Sequence, residues 1–81
     1  MARYFFDFLD SGEITTDDEG MDLPSMHRVQ EEAVRSLAEM AKDAARKPHG
    51  GADHHMAIEV RDDTGPVLQV NFRVQIDRLR H

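Results

Sequence analysis

Hydrophobic and polar residues alternate along the first and last thirds of the chain and follow a helical period between them. The opening run Arg3-Tyr4-Phe5-Phe6-Asp7-Phe8-Leu9 is short and aromatic, which predicts a strand rather than a helix. Period two puts Tyr4, Phe6 and Phe8 on one face and Arg3, Phe5, Asp7 and Leu9 on the other. Asp10-Ser11-Gly12 supplies turn residues, with Gly12 suited to positive φ, and a weak second strand over Glu13 to Thr16 completes a hairpin. The acidic stretch Asp17-Asp18-Glu19-Gly20 then leads into a connection read as solvated.

Pro24 and Ser25 mark a helix start, Ser25 being the N-cap. From Met26 to about Arg46 the residues Met26, Val29, Ala33, Leu37, Met40 and Ala44 share one face at 100° per residue. Arg28, Glu32, Arg35, Glu39, Lys42 and Arg46 lie opposite, alternating in sign as far as Lys42, and Lys47-Pro48-His49-Gly50-Gly51 stops the helix. The last third predicts a second hairpin. Met56, Ile58 and Val60 alternate with Ala57, Glu59 and Arg61. Leu68, Val70, Phe72, Val74 and Ile76 alternate with Gln69, Asn71, Arg73 and Gln75, and Asp62-Asp63-Thr64-Gly65 forms the turn between the two runs.

The expected fold is therefore α+β: a two-layer ββαββ unit with one amphipathic helix on a four-stranded sheet. Placing the longest and most apolar strands, the first and the last, at the centre gives order 2-1-4-3, with 2-1-3-4 as the alternative. The expected core is Tyr4, Phe6, Phe8, Val29, Ala33, Leu37, Met40, Ile58, Val60, Leu68, Val70, Phe72 and Val74. Such a core supplies a net stability of about 3–5 kcal/mol.

Length and composition narrow the function. Eighty-one residues make one domain, 1–81, and 40% hydrophobic residues are enough for it to fold. Without cysteine, disulfides, thiolate metal sites and cysteine nucleophiles are excluded. No apolar run reaches the ~20 residues of a membrane span and no signal-peptide segment is found, so a cytoplasmic protein is expected. The net charge of −6 argues against nucleic acid and anionic membranes as partners. Residues 1–23 hold seven carboxylates and one arginine, so that segment carries the whole excess.

Three local patterns resemble a family of short bacterial proteins defined only by a domain of unknown function. They are Arg3-Tyr4-Phe5-Phe6-Asp7, the run Asp18-Glu19-Gly20-x-Asp22-Leu23-Pro24 before the helix, and Glu59-Val60-Arg61-Asp62-Asp63-x-Gly65 at the second hairpin. Together they span nearly the whole chain. The resemblance implies no activity, cofactor or catalytic residue.

His49, Asp53, His54 and His55 are the one cluster with metal-ligand chemistry, imidazoles and a carboxylate being suited to Zn²⁺, Ni²⁺ or Cu²⁺. Set against it, the ligands follow no structural spacing motif, and adjacent His54 and His55 point to opposite faces if extended. Asp17, Asp18, Glu19 and Asp22 offer oxygen ligands but lack the Ca²⁺-loop pattern. Catalysis finds little support: Ser11 reads as a turn residue, Ser25 as a cap and Ser36 as a helix-flank position, so the chain is read as no enzyme and as needing no cofactor. The outward sheet face carries Phe5, Leu9 and Val67 among polar residues, which makes Arg3, Phe5, Asp7, Leu9 and Arg73 the candidate interface. The leading reading is a non-enzymatic interaction module, a homo-oligomer with a further protein partner. The alternative is an antitoxin-like regulator binding RNA or a toxin; the third is a histidine-loop metal-binding protein.

Overall fold

The computed structural model of the chain describes residues 2–44, 53–77 and 79–80. Strand β1 (Ala2–Asp10) and the short β2 (Glu13–Thr15) form the first hairpin, with Asp10 opposite Glu13. Its turn, Ser11-Gly12, has positive φ at both positions, 49° and 92°. That is the backbone of a tight hairpin turn whose twist matches the strands, and it asks more of Ser11 than of Gly12. A third strand, β3 (Met21–Leu23), pairs antiparallel with the start of β1. Helix α1 (Met26–Ala44) follows, then β4 (Asp53–Asp62) and β5 (Gly65–Gln75) as the second hairpin.

The helix begins where the sequence places it. Ser25 Oγ accepts from the Arg28 N–H at 3.2 Å, and the Ser25 carbonyl accepts the first helical bond from Val29. Val29, Ala33 and Leu37 are buried at successive turns, and Met40, Ala41 and Ala44 pack on the margin of the same core. Met26, expected on this face, is exposed at the helix start.

All strand pairings are antiparallel, and the order is β2-β1-β4-β5 with β3 also on β1. In the four-strand numbering of the sequence reading this is 2-1-3-4 with an added strand, so the preferred order 2-1-4-3 is wrong. Strand length is a poor guide here; burial on both faces decides. On β4, Met56, Ile58 and Val60 lie beneath the helix and Ala57, facing the other way, is also fully buried. On β5 the outward residues are Gln69, Asn71 and Arg73, which suit an edge.

Two members of the expected core change status for the same reason. Phe72 is 37% exposed and Val74 is half-buried, because they lie in the far half of the edge strand, past Leu68 and Val70, which pack against the core. Leu23 and Met56 take buried places instead. Val67, expected to face away from the helix, packs against the core. The register shift between Val60–Leu68 and Arg61–Pro66 leaves it as the extra residue of a bulge, which breaks the strict alternation.

Candidate functional site

The second edge of β1 is paired only at its ends. β2 takes Phe8 to Asp10 and β3 takes Ala2 to Tyr4, leaving a gap at Phe5 to Asp7. The acidic connection fills it. Asp17 Oδ2 accepts from the Phe6 N–H at 3.1 Å, so a side-chain carboxylate stands where a neighbouring strand's carbonyl would be. Asp17 Oδ1 accepts from the N–H groups of Glu19 and Gly20, which turns the chain back towards β3.

Asp7 and Arg61 lock this turn to the sheet. Asp7 is 8% exposed, and its carboxylate accepts from Arg61 Nε at 2.8 Å and from the Asp17 N–H at 3.0 Å. Arg61 Nη2 donates to the Asp17 carbonyl at 2.8 Å, and its guanidinium lies 4.6 Å from the centre of the Phe5 ring. Arg3 donates to the Glu19 carbonyl and pairs with Asp22. We call this arrangement of Asp7, Asp17 and Arg61 the latch.

The latch sets its own electrostatics. Partial burial pushes the Asp17 carboxyl up, but the Phe6, Gly20 and Glu19 N–H donors and the Arg61 charge outweigh it and hold the group below its ordinary 3.8. Arg61 is held still more firmly protonated, chiefly by its hydrogen bond to Asp7. At the other hairpin, hydrogen bonds from the Thr64 hydroxyl and N–H keep Asp62 below its ordinary value. Each of these groups serves a turn or a strand edge.

The structure therefore divides the candidate interface. Phe5 and Asp7 lie within the latch, and Arg3 is drawn into it. Asp7 is not an exposed charge available to a partner, since Arg61 and the Asp17 backbone saturate it. The acidic connection is not simply solvated either: Asp17 turns inward while Asp18 and Glu19 stay exposed. Leu9 is half-buried opposite Ala57, and Arg73 stands on β5 opposite His55.

The histidines are drawn apart. His54 and His55 are consecutive residues of β4 and have different partners. His54 Nε2 lies 2.9 Å from Asp10 Oδ1, both atoms sealed from solvent, and His54 Nδ1 lies 3.5 Å from Ser11 Oγ. His55 Nε2 lies 3.0 Å from Asn71 Oδ1. His49 and the side chain of Asp53 fall outside the described residues. Among the described residues no three His, Asp or Glu side chains converge as a metal site. Ser11, His54, His55, Asn71 and Arg73 instead line an open groove of ≈ 510 Å³ at the end of the sheet. By sequence Asp10 and Ser11 have only turn roles, because the histidine that meets them is more than forty residues away.

No helix among the described residues is long and apolar enough to cross a membrane. Residues 3–73 match the family described as Domain of unknown function (DUF6894), and the chain belongs to it. Neither a curated protein nor a solved structure matches the chain. The matched span contains the latch, the groove and all but the first residue and last two residues of the described strands.

Proposed function

We propose that the chain is a self-associating interaction module in which a second copy pairs along β5. The observation that carries this reading is the character of that edge. β5 ends the strand order, runs for eleven residues, and has Phe72 at 37% and the adjoining Ile76 at 58% exposure. A long edge strand presents a row of backbone donors and acceptors to another chain. Its start is blunted by Pro66 and the bulge, but Leu68 to Gln75 are regular.

Charge favours a second copy. The acidic segment lies with β2 and β3 at the opposite edge, beyond β1 and β4. At a strand spacing of about 4.8 Å, it stays beyond a ~10 Å screening length from a partner joined at β5. Antiparallel pairing with Asn71 opposite its own copy sets Phe72 beside Val70 of the second copy and Gln69 beside Arg73 of the second copy. Apolar then meets apolar, and no like charges are opposed. Of the candidate interface, Arg73 remains in this surface, whereas Phe5 and Asp7 serve the latch.

Sedimentation velocity at micromolar concentrations tests the reading, with Phe72→Glu as the variant. The wild type should sediment as a dimer and Phe72→Glu as a 9.3 kDa monomer with unchanged circular dichroism. A monomeric wild type at 100-fold higher concentration contradicts it.

A further inference from the structure

We infer that Ser11, in the groove at the end of the first hairpin, is an activated hydroxyl that accepts an acyl group from small esters. This inference does not rest on pairing along β5, although Asn71 and Arg73 belong to both surfaces. Its first support is the line of three side chains. Ser11 Oγ lies 3.5 Å from His54 Nδ1, and the other imidazole nitrogen lies 2.9 Å from Asp10 Oδ1. A base beside the hydroxyl, backed by a carboxylate, is the arrangement that activates a serine. The imidazole nitrogens are used in the opposite order to the serine proteases, which leaves the roles intact. The facing atoms Oδ1 and Nε2 are sealed from solvent while the Asp10 side chain as a whole is 41% exposed, so the carboxylate acts on the imidazole by its charge at 2.9 Å.

The second support is the backbone. Ser11 is the one non-glycine residue with positive φ among the described residues, and its N–H is tied to the His55 carbonyl at 3.1 Å. The hairpin turn thereby fixes Ser11 at the mouth of the groove beside His54. The third is the groove itself. Arg73 lines it with Ser11, and its guanidinium has donors suited to a carbonyl oxygen that gains charge. Asn71 Oδ1 already accepts from His55 and Gln69, which fixes the amide so that its NH₂ is the end left to a ligand. At ≈ 510 Å³ the groove fits a short acyl ester.

In the acylation step Ser11 Oγ adds to the ester carbonyl carbon and its proton passes to His54 Nδ1. Asp10 stabilises the resulting imidazolium by its charge. Collapse of the adduct breaks the bond to the alcohol oxygen, which takes the proton from Nδ1 and leaves as the alcohol. Water, giving its proton to the same nitrogen, then attacks the acyl carbon, and the proton returns to Ser11 Oγ as the carboxylic acid departs.

The test treats the full chain with a fluorophosphonate, which bonds phosphorus to an activated serine oxygen and expels fluoride, and reads intact mass. One phosphonyl group per chain, located at Ser11 by fragmentation, is expected. Ser11→Gly, which suits the positive φ and so keeps the hairpin, should take up none. His54→Gln should slow labelling of Ser11 by roughly 100-fold and lower p-nitrophenyl acetate turnover in proportion, with an unchanged melting transition. Absence of label on the wild type, or equally fast labelling of Ser11 in His54→Gln, overturns the inference.

Discussion

Replacing Gly20 by alanine probes the packing of the acidic segment onto the sheet. Gly20 has φ +74°, and a Cβ built there lies 2.9 Å from both Arg3 Cγ and Phe5 Cε2. Gly12 has φ +92°, with nothing within 4 Å of a built Cβ. Both alanine variants therefore carry the backbone penalty of a side chain at positive φ, roughly 1 kcal/mol. Only Gly20→Ala adds overpacking, about 1–3 kcal/mol. The Phe5 ring has little room to yield, because the Arg61 guanidinium stands over it. Expected losses are thus about 1 kcal/mol for Gly12→Ala and about 2–4 kcal/mol for Gly20→Ala. Urea denaturation of the two variants beside the wild type measures them, with a slope of about 1 kcal/mol per molar for a domain of this size. Equal midpoints for the two variants would refute the claim that the segment is pressed against Phe5.

Leu37→Ala removes a side chain only 4% exposed between helix and sheet, and should cost about 2–5 kcal/mol in the same assay; an unchanged midpoint would place Leu37 outside the core. The latch also sets an acid limit on stability. Asp17 has its folded pKa lowered below 3.8, so its contribution is fully present above that value and is lost as pH falls through the lower folded value. Asp17→Asn should therefore destabilise at pH 7 and flatten the loss of stability in that acidic window, as followed by thermal melts; an unaltered pH profile would deny the carboxylate this role.

The sequence reveals most where structure is local. Ser25 and the spacing of Val29, Ala33 and Leu37 predict the helix and its buried face because cap and periodicity lie within a few residues of one another. Both hairpins follow from alternation and turn residues. Strand order is less legible, since length and apolarity single out the last strand, whereas burial on both faces places β4 inside. β3 is three residues long, too short for a pattern to show, and its anchor Leu23 is recognisable only once it is buried. The bulge at Val67 reverses one side chain that strict alternation assigns outward.

The sites depend on distant pairings. Asp7, Asp17 and Arg61 are separated by 10, 44 and 54 positions, and a list of charges does not say which of sixteen acids meets which base. Yet Asp7 and Arg61 lie within the first and third motifs that carry the family resemblance, and Gly20, which the latch turns, lies in the second. Read through the fold, those motifs describe a folding device: a strand edge completed by a carboxylate and held by one arginine. The edge of β5 and the groove beside Ser11 lie outside that device.

Backbone amide NMR during an acid titration shows whether Asp17 completes the edge of β1. The Phe6, Glu19 and Gly20 N–H groups all donate to the one carboxylate. Their resonances should shift together as it protonates, with a common midpoint below the ordinary aspartate value of 3.8, and the shared transition should vanish in Asp17→Asn. Three amides that move independently, or a common midpoint at or above that value, would mean that Asp17 does not complete the edge of β1.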